Sequence, residues 1–129
     1  MTISLADQVL PKAVKDGVMR TIDPHLKMRA NGSGVCSTKT RHERQSFYLL
    51  MVAQLWQLGF RIRKLESLAG KHVEALMEMW FKNDIAVGYL HTRLSMVRVL
   101  CHDWLGKEGL VKNIADYLPA DQVRRNTVA

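Results

Sequence analysis

From Ser37 to Lys107 the chain carries three helix-length apolar patterns and no strand-like alternation anywhere, which restricts it to an all-α core. The first pattern contains Phe47, Leu49, Leu50, Met51, Val52, Leu55, Trp56 and Leu58. A helix apolar on nearly every side must be the central one, because no face is left for water. Thr40-Arg41-His42-Glu43 fits a capping box at its start, with Ser37 as an alternative cap one turn earlier. Gly59 is placed as a left-handed stop, followed by a basic connector, Arg61-Ile62-Arg63-Lys64.

The second pattern starts near Gly70 or Lys71 and repeats Val73, Leu76, Met77 and Trp80 on one face. It ends at Lys82-Asn83-Asp84, where Asn83 or Asp84 is placed to cap the next helix. In the third, Leu90, Leu94, Val97, Cys101 and Trp104 form a stripe, with His91, Ser95, Arg98 and His102 along one flank. Gly106 closes it, and a final short helix is expected from Val111 to Leu118.

Upstream, Ser4 is positioned to cap a helix, and Pro11 to interrupt it or open a second. One or two helices are expected within residues 4–22, ending before Asp23-Pro24, then a flexible loop through Asn31-Gly32-Ser33-Gly34. The tail from Asp121 to Ala129 is expected to fray. The expected organisation is therefore an N-terminal segment (1–36), a helical domain (37–118) and a terminal linker (119–129).

At 129 residues the chain is one domain by length, and a 47% apolar share is that of an ordinary globular protein. The longest apolar stretch, Phe47 to Phe60, is interrupted by Gln54 and Gln57 and falls short of a bilayer span. No secretion signal opens the chain, so a cytoplasmic protein with free Cys36 and Cys101 thiols is expected. Nineteen Lys and Arg against twelve Asp and Glu give a net charge of +7, which favours a polyanionic partner.

The basic start of the first pattern is the leading candidate site: Lys39, Thr40, Arg41 and Arg44 sit where the helix dipole also favours an anion. Its ordinary alternative is a solvated helix start. Lys71 and His72 begin the second pattern, and His72 either caps that helix or touches a phosphate. Five histidines form no metal-ligand pair, so neither a metal nor another cofactor is expected. No nucleophile stands beside a base and an orienting acid, and no glycine-rich phosphate loop is present, so no catalysis is expected. A helical module whose basic surface binds an acidic protein remains the alternative to a nucleic-acid binder. A basic membrane-surface helix fits less well, because the apolar faces are needed for one core.

Ser37-x-x-Thr40-x-x-x-Arg44, then Leu58-Gly59-Phe60 and Lys71-His72-Val73-Glu74-Ala75-Leu76, occur in a characteristic order. Arg93-Leu94-Ser95-Met96-Val97-Arg98, Trp104 and Gly106-Lys107 complete it. Over residues 37–118 this order resembles the N-terminal core-binding domain of phage-integrase-type tyrosine recombinases. The resemblance implies a compact, SAM-like bundle of four or five helices that grips double-stranded DNA at a recombination site. It implies a monomer in isolation and an oligomer when full-length protein assembles on DNA, in a bacterial or phage-infected cytoplasm. Carried over, Lys39, Thr40, Arg41, Arg44, Lys71, His72, Tyr89, His91, Ser95, Arg98 and Lys107 would be the DNA-binding residues. The family's catalytic residues belong to a C-terminal domain, and Val123 to Ala129 resembles the linker leading to it. Relatives place Ser and Thr three apart where this chain has Ala86 and Tyr89, so the usual hydroxyl cap of that helix is missing here.

Overall fold

A computed structural model describes residues 4–26 and 38–118. They form five α-helices: α1 (Leu5–Val9), α2 (Lys12–Leu26), α3 (Thr38–Gln57), α4 (Gly70–Lys82) and α5 (Val87–Arg98). No strand occurs among the described residues, and the expected all-α class holds. Packing divides the chain into two units between Leu68 and Ala69. The expected loop at 31–34, the Ser37 cap and the tail beyond Pro119 lie outside the described residues.

In the first unit α1 and α2 both pack on α3. Ser4 caps α1 as expected, its Oγ accepting the Asp7 N–H at 3.2 Å. Pro11 immediately precedes α2, and its carbonyl accepts from Val14 and Lys15. Val14, Val18, Ile22 and Leu26 form the buried stripe of α2. That helix was expected to end before Pro24 but runs through it to Leu26. The ring removes one donor near the helix end, and burial of Leu26 holds the last turn in place.

The centre of this unit is α3, where Phe47, Tyr48, Met51, Val52, Ala53 and Leu55 are buried. Its helical residues begin at Thr38, so Thr40 lies inside the first turn and does not form the expected capping box with Glu43. Several hydroxyl residues in succession offered competing caps, and the helix took an earlier start. The opposite end follows the expectation. Gly59 has φ +97°, Phe60 donates to the Leu55 carbonyl at 2.8 Å and Gly59 to that of Trp56 at 3.1 Å. These are the paired bonds of a Schellman stop. The connector then runs to a 3₁₀ turn at Leu65–Ser67, anchored by buried Leu65 and Leu68.

In the second unit α4 and α5 pack together. Val73, Leu76, Met77 and Trp80 of α4 are all buried, as are Leu90, Leu94 and Val97 of α5. Asn83 and Asp84 do not cap α5, contrary to expectation. They end α4 instead: Asp84 takes φ +59°, Ile85 donates to the Trp80 carbonyl and Asp84 to that of Phe81. The N-cap of α5 is Ala86, with no side-chain hydrogen bond, so the missing hydroxyl cap is missing in the fold as well.

Beyond Arg98 the helix widens into a π-helical segment, Val99–Trp104, where Leu105 donates five residues back to Leu100 at 2.9 Å. Gly106, at φ +70°, closes it. The helix expected from Val111 to Leu118 reduces to one 3₁₀ turn, Ile114–Asp116. Asn113 and Asp116 exchange local bonds there, and the Tyr117 hydroxyl accepts the Lys112 N–H at 2.9 Å, which uses groups a longer helix would need.

Candidate nucleic-acid interface

At the start of α3 the candidates separate onto two flanks. With 100° per residue, Thr40, Arg41 and Arg44 share one side, whereas Lys39 falls with His42, Glu43 and Ser46 on another. The latter four line an open depression of about 540 Å³. Lys39 is exposed, while Thr40, Arg41 and Arg44 are half-buried and engaged in further interactions. The long arginine stems thus lie along the protein, the usual way an amphipathic cation covers apolar surface.

The start of α4 is organised by His72. This side chain is only 5% exposed, and its Nδ1 accepts the Ala69 N–H at 2.9 Å. Ala69 has no hydroxyl to return the bond, so only the reach-back half of a capping box exists. Of the two roles foreseen for His72, the geometry shows the cap. Burial, then the charges of Lys71 and Lys107, hold its imidazole below the usual histidine range. Lys71 is exposed, and Lys107 is half-buried in the loop after Gly106. Lys71 lies on the first turn of α4, where the helix dipole adds to its charge.

His91, Ser95 and Arg98 lie on one flank of α5, as the spacing implies. His91 and Ser95 are exposed. Arg98 is half-buried and donates from Nη2 to the Lys112 carbonyl at 2.8 Å, so part of its guanidinium tethers the terminal segment. The π-helical widening turns His102 off that line, and its Nδ1 lies 2.8 Å from Asp103. Tyr89 is 70% exposed on the first turn but projects to the other side of the apolar stripe.

One cation escaped the sequence reading. Arg93 places its guanidinium 5.0 Å from the Trp80 ring centre, with Nη1 buried, and desolvation lowers its pKa. Nothing in the spacing announces this contact, because Trp80 and Arg93 belong to different helices. Cys101 is buried and its thiol is pushed up to about 11 by desolvation, so it is inert at neutral pH. Among the described residues no group of His, Cys, Asp and Glu could hold a metal ion, and no helix is long and apolar enough to cross a membrane.

The arrangement offers exposed or half-exposed cations and hydroxyls at helix starts, set on packed helices. A family model for the N-terminal region of phage integrases matches residues 19–111, which takes in parts of both units. No curated protein and no solved structure matches the chain. By that match across most of its length, the chain belongs to the phage integrase N-terminal domain family.

Proposed function

We propose that this chain is the DNA-binding, core-binding domain of a tyrosine site-specific recombinase, gripping the duplex at a recombination site during integration. The match to phage integrase N-terminal regions over residues 19–111 carries the reading, and exposed Lys71 on the first turn of α4 supports it. Backbone N–H groups at a helix start beside an exposed ammonium group suit a phosphate oxygen. Arg41 and Arg44 on α3 and His91 and Ser95 on α5 add further positioning contacts.

We assign no catalytic step to these residues. Tyr48 is 1% exposed in the core and the Tyr117 hydroxyl is engaged with the Lys112 N–H. Phosphate contacts should dominate affinity, with base-edge contacts adding a modest sequence preference. Four or five neutralised phosphates give a slope of log K against log salt of roughly −4. The test is fluorescence anisotropy with recombination-site duplex across a salt series, comparing the parent with Lys71→Ala/Lys107→Ala and Arg41→Ala/Arg44→Ala. Weaker binding and a shallower slope in both variants support the reading. Tight binding to an acidic protein with none to duplex would favour the protein-interaction alternative.

A further inference from the structure

The connector after α3 is a second cationic surface of the first unit, at the opposite end of α3 from Arg41 and Arg44. Apolar residues at 62, 65 and 68 alternate with cations: Ile62 is half-buried, Leu65 and Leu68 are buried, and Arg61, Arg63 and Lys64 are exposed. The segment is fixed by specific bonds. The Trp56 indole N–H donates to the Ile62 carbonyl at 2.8 Å, Arg61 lies 5.8 Å over the Trp56 ring, and Ser67 donates to the Lys64 carbonyl at 3.0 Å.

The connector also rests on α2. A Cβ built on Gly17 would lie 3.7 Å from the Arg63 carbonyl, and the Thr21 hydroxyl lies 3.3 Å from the Glu66 carboxylate. Gly17 and Thr21 face the connector one turn apart, and exposed Arg20 stands beside Thr21 on that side of α2. Among the described residues none of Arg20, Arg61, Arg63 or Lys64 is held in an ion pair. Four exposed cations on α2 and the connector outweigh the neighbouring Glu66 carboxylate, and a polyanion is drawn to that excess.

We infer that Arg20 and the Arg61–Lys64 connector form a second phosphate-binding surface for duplex DNA, independent of base sequence. This rests on the DNA-binding reading above and extends it. The connector follows the C-terminal end of α3 and Arg44 lies near its start, roughly 20 Å apart along the helix at 1.5 Å per residue. The two sets therefore serve different phosphates. With three or so added contacts, the slope of log K against log salt for the parent chain steepens from roughly −4 to roughly −6 or beyond.

The test uses the full 129-residue chain and a fluorescein-labelled duplex of mixed sequence, titrated at several potassium chloride concentrations. Arg63→Ala/Lys64→Ala changes only exposed side chains, and an unchanged urea midpoint verifies the fold. The slope should become shallower by about 0.9 for each lost contact, roughly 1.8 for the pair. An unchanged slope in that variant, with Arg41→Ala/Arg44→Ala still weakening binding, overturns this inference and leaves the proposed function standing. A shallower slope in the connector variant, with no effect at Arg41/Arg44 or Lys71/Lys107, supports the connector and removes the earlier site. No salt-dependent duplex binding by the parent overturns both.

Discussion

Acidification should loosen the second unit through His72, and the sign follows from its geometry. In the fold His72 Nδ1 accepts the Ala69 N–H at 2.9 Å, which requires that nitrogen to be unprotonated. Protonation would set donor against donor and bury a charge near Lys71 and Lys107. The folded pKa is accordingly below the ordinary 6.5, with burial the first cause. A lowered histidine pKa means the unfolded chain takes the proton first as pH falls. The stabilisation is fully present above 6.5 and is lost progressively as pH falls from there toward the depressed folded value. One proton sets the steepest slope at about 1.4 kcal/mol per pH unit.

The informative comparison is His72→Gln, whose side-chain carbonyl can still accept the Ala69 N–H but does not titrate. Urea unfolding of both proteins between about pH 7.5 and pH 5 should show the parent losing stability faster than the variant. Asp7 and Glu78, paired with Lys15 and Lys82, have lowered pKa values and titrate below that window, so they cancel in the difference. Parallel stability profiles for the two proteins would refute the assigned role of His72.

Leu94 is 2% exposed on the apolar stripe of α5, so Leu94→Ala should cost about 2–5 kcal/mol in urea unfolding. Gly59 sits at φ +97°, where a Cβ is strained even in open space; Gly59→Ala should lower stability by about 1–2 kcal/mol. Cys101, buried with its pKa raised to about 11, should resist a thiol reagent at neutral pH in a Cys36→Ser background, and react at the rate of unfolding.

The helical elements were largely legible because their signals are local. Gly59 and Gly106 mark stops by their backbone freedom, and the stripes Val73–Trp80 and Leu90–Val97 face inward as their spacing requires. What failed involved competition or distance. The start of α3 could not be fixed among successive hydroxyl residues, and Pro24 suggested an end that burial of Leu26 overrode. Asp84 looked like a cap for the following helix because sequence alone does not reveal its positive φ. In the site, the α5 flank of His91, Ser95 and Arg98 followed from periodicity. The tether from Arg98 to Lys112 and the Arg93–Trp80 contact arise from tertiary packing, which no window of sequence contains.

The widened turn at Val99–Trp104 gives α5 an extra residue relative to regular winding. That slack makes this stretch the place where the chain best absorbs the loss of a residue. Losing one residue there would let the coil tighten to ordinary pitch, while the faces before Val99 keep their orientation. A deletion between Leu90 and Val97 has no such reserve; it would swing all later side chains by about 100° and send Cys101 out of the interior.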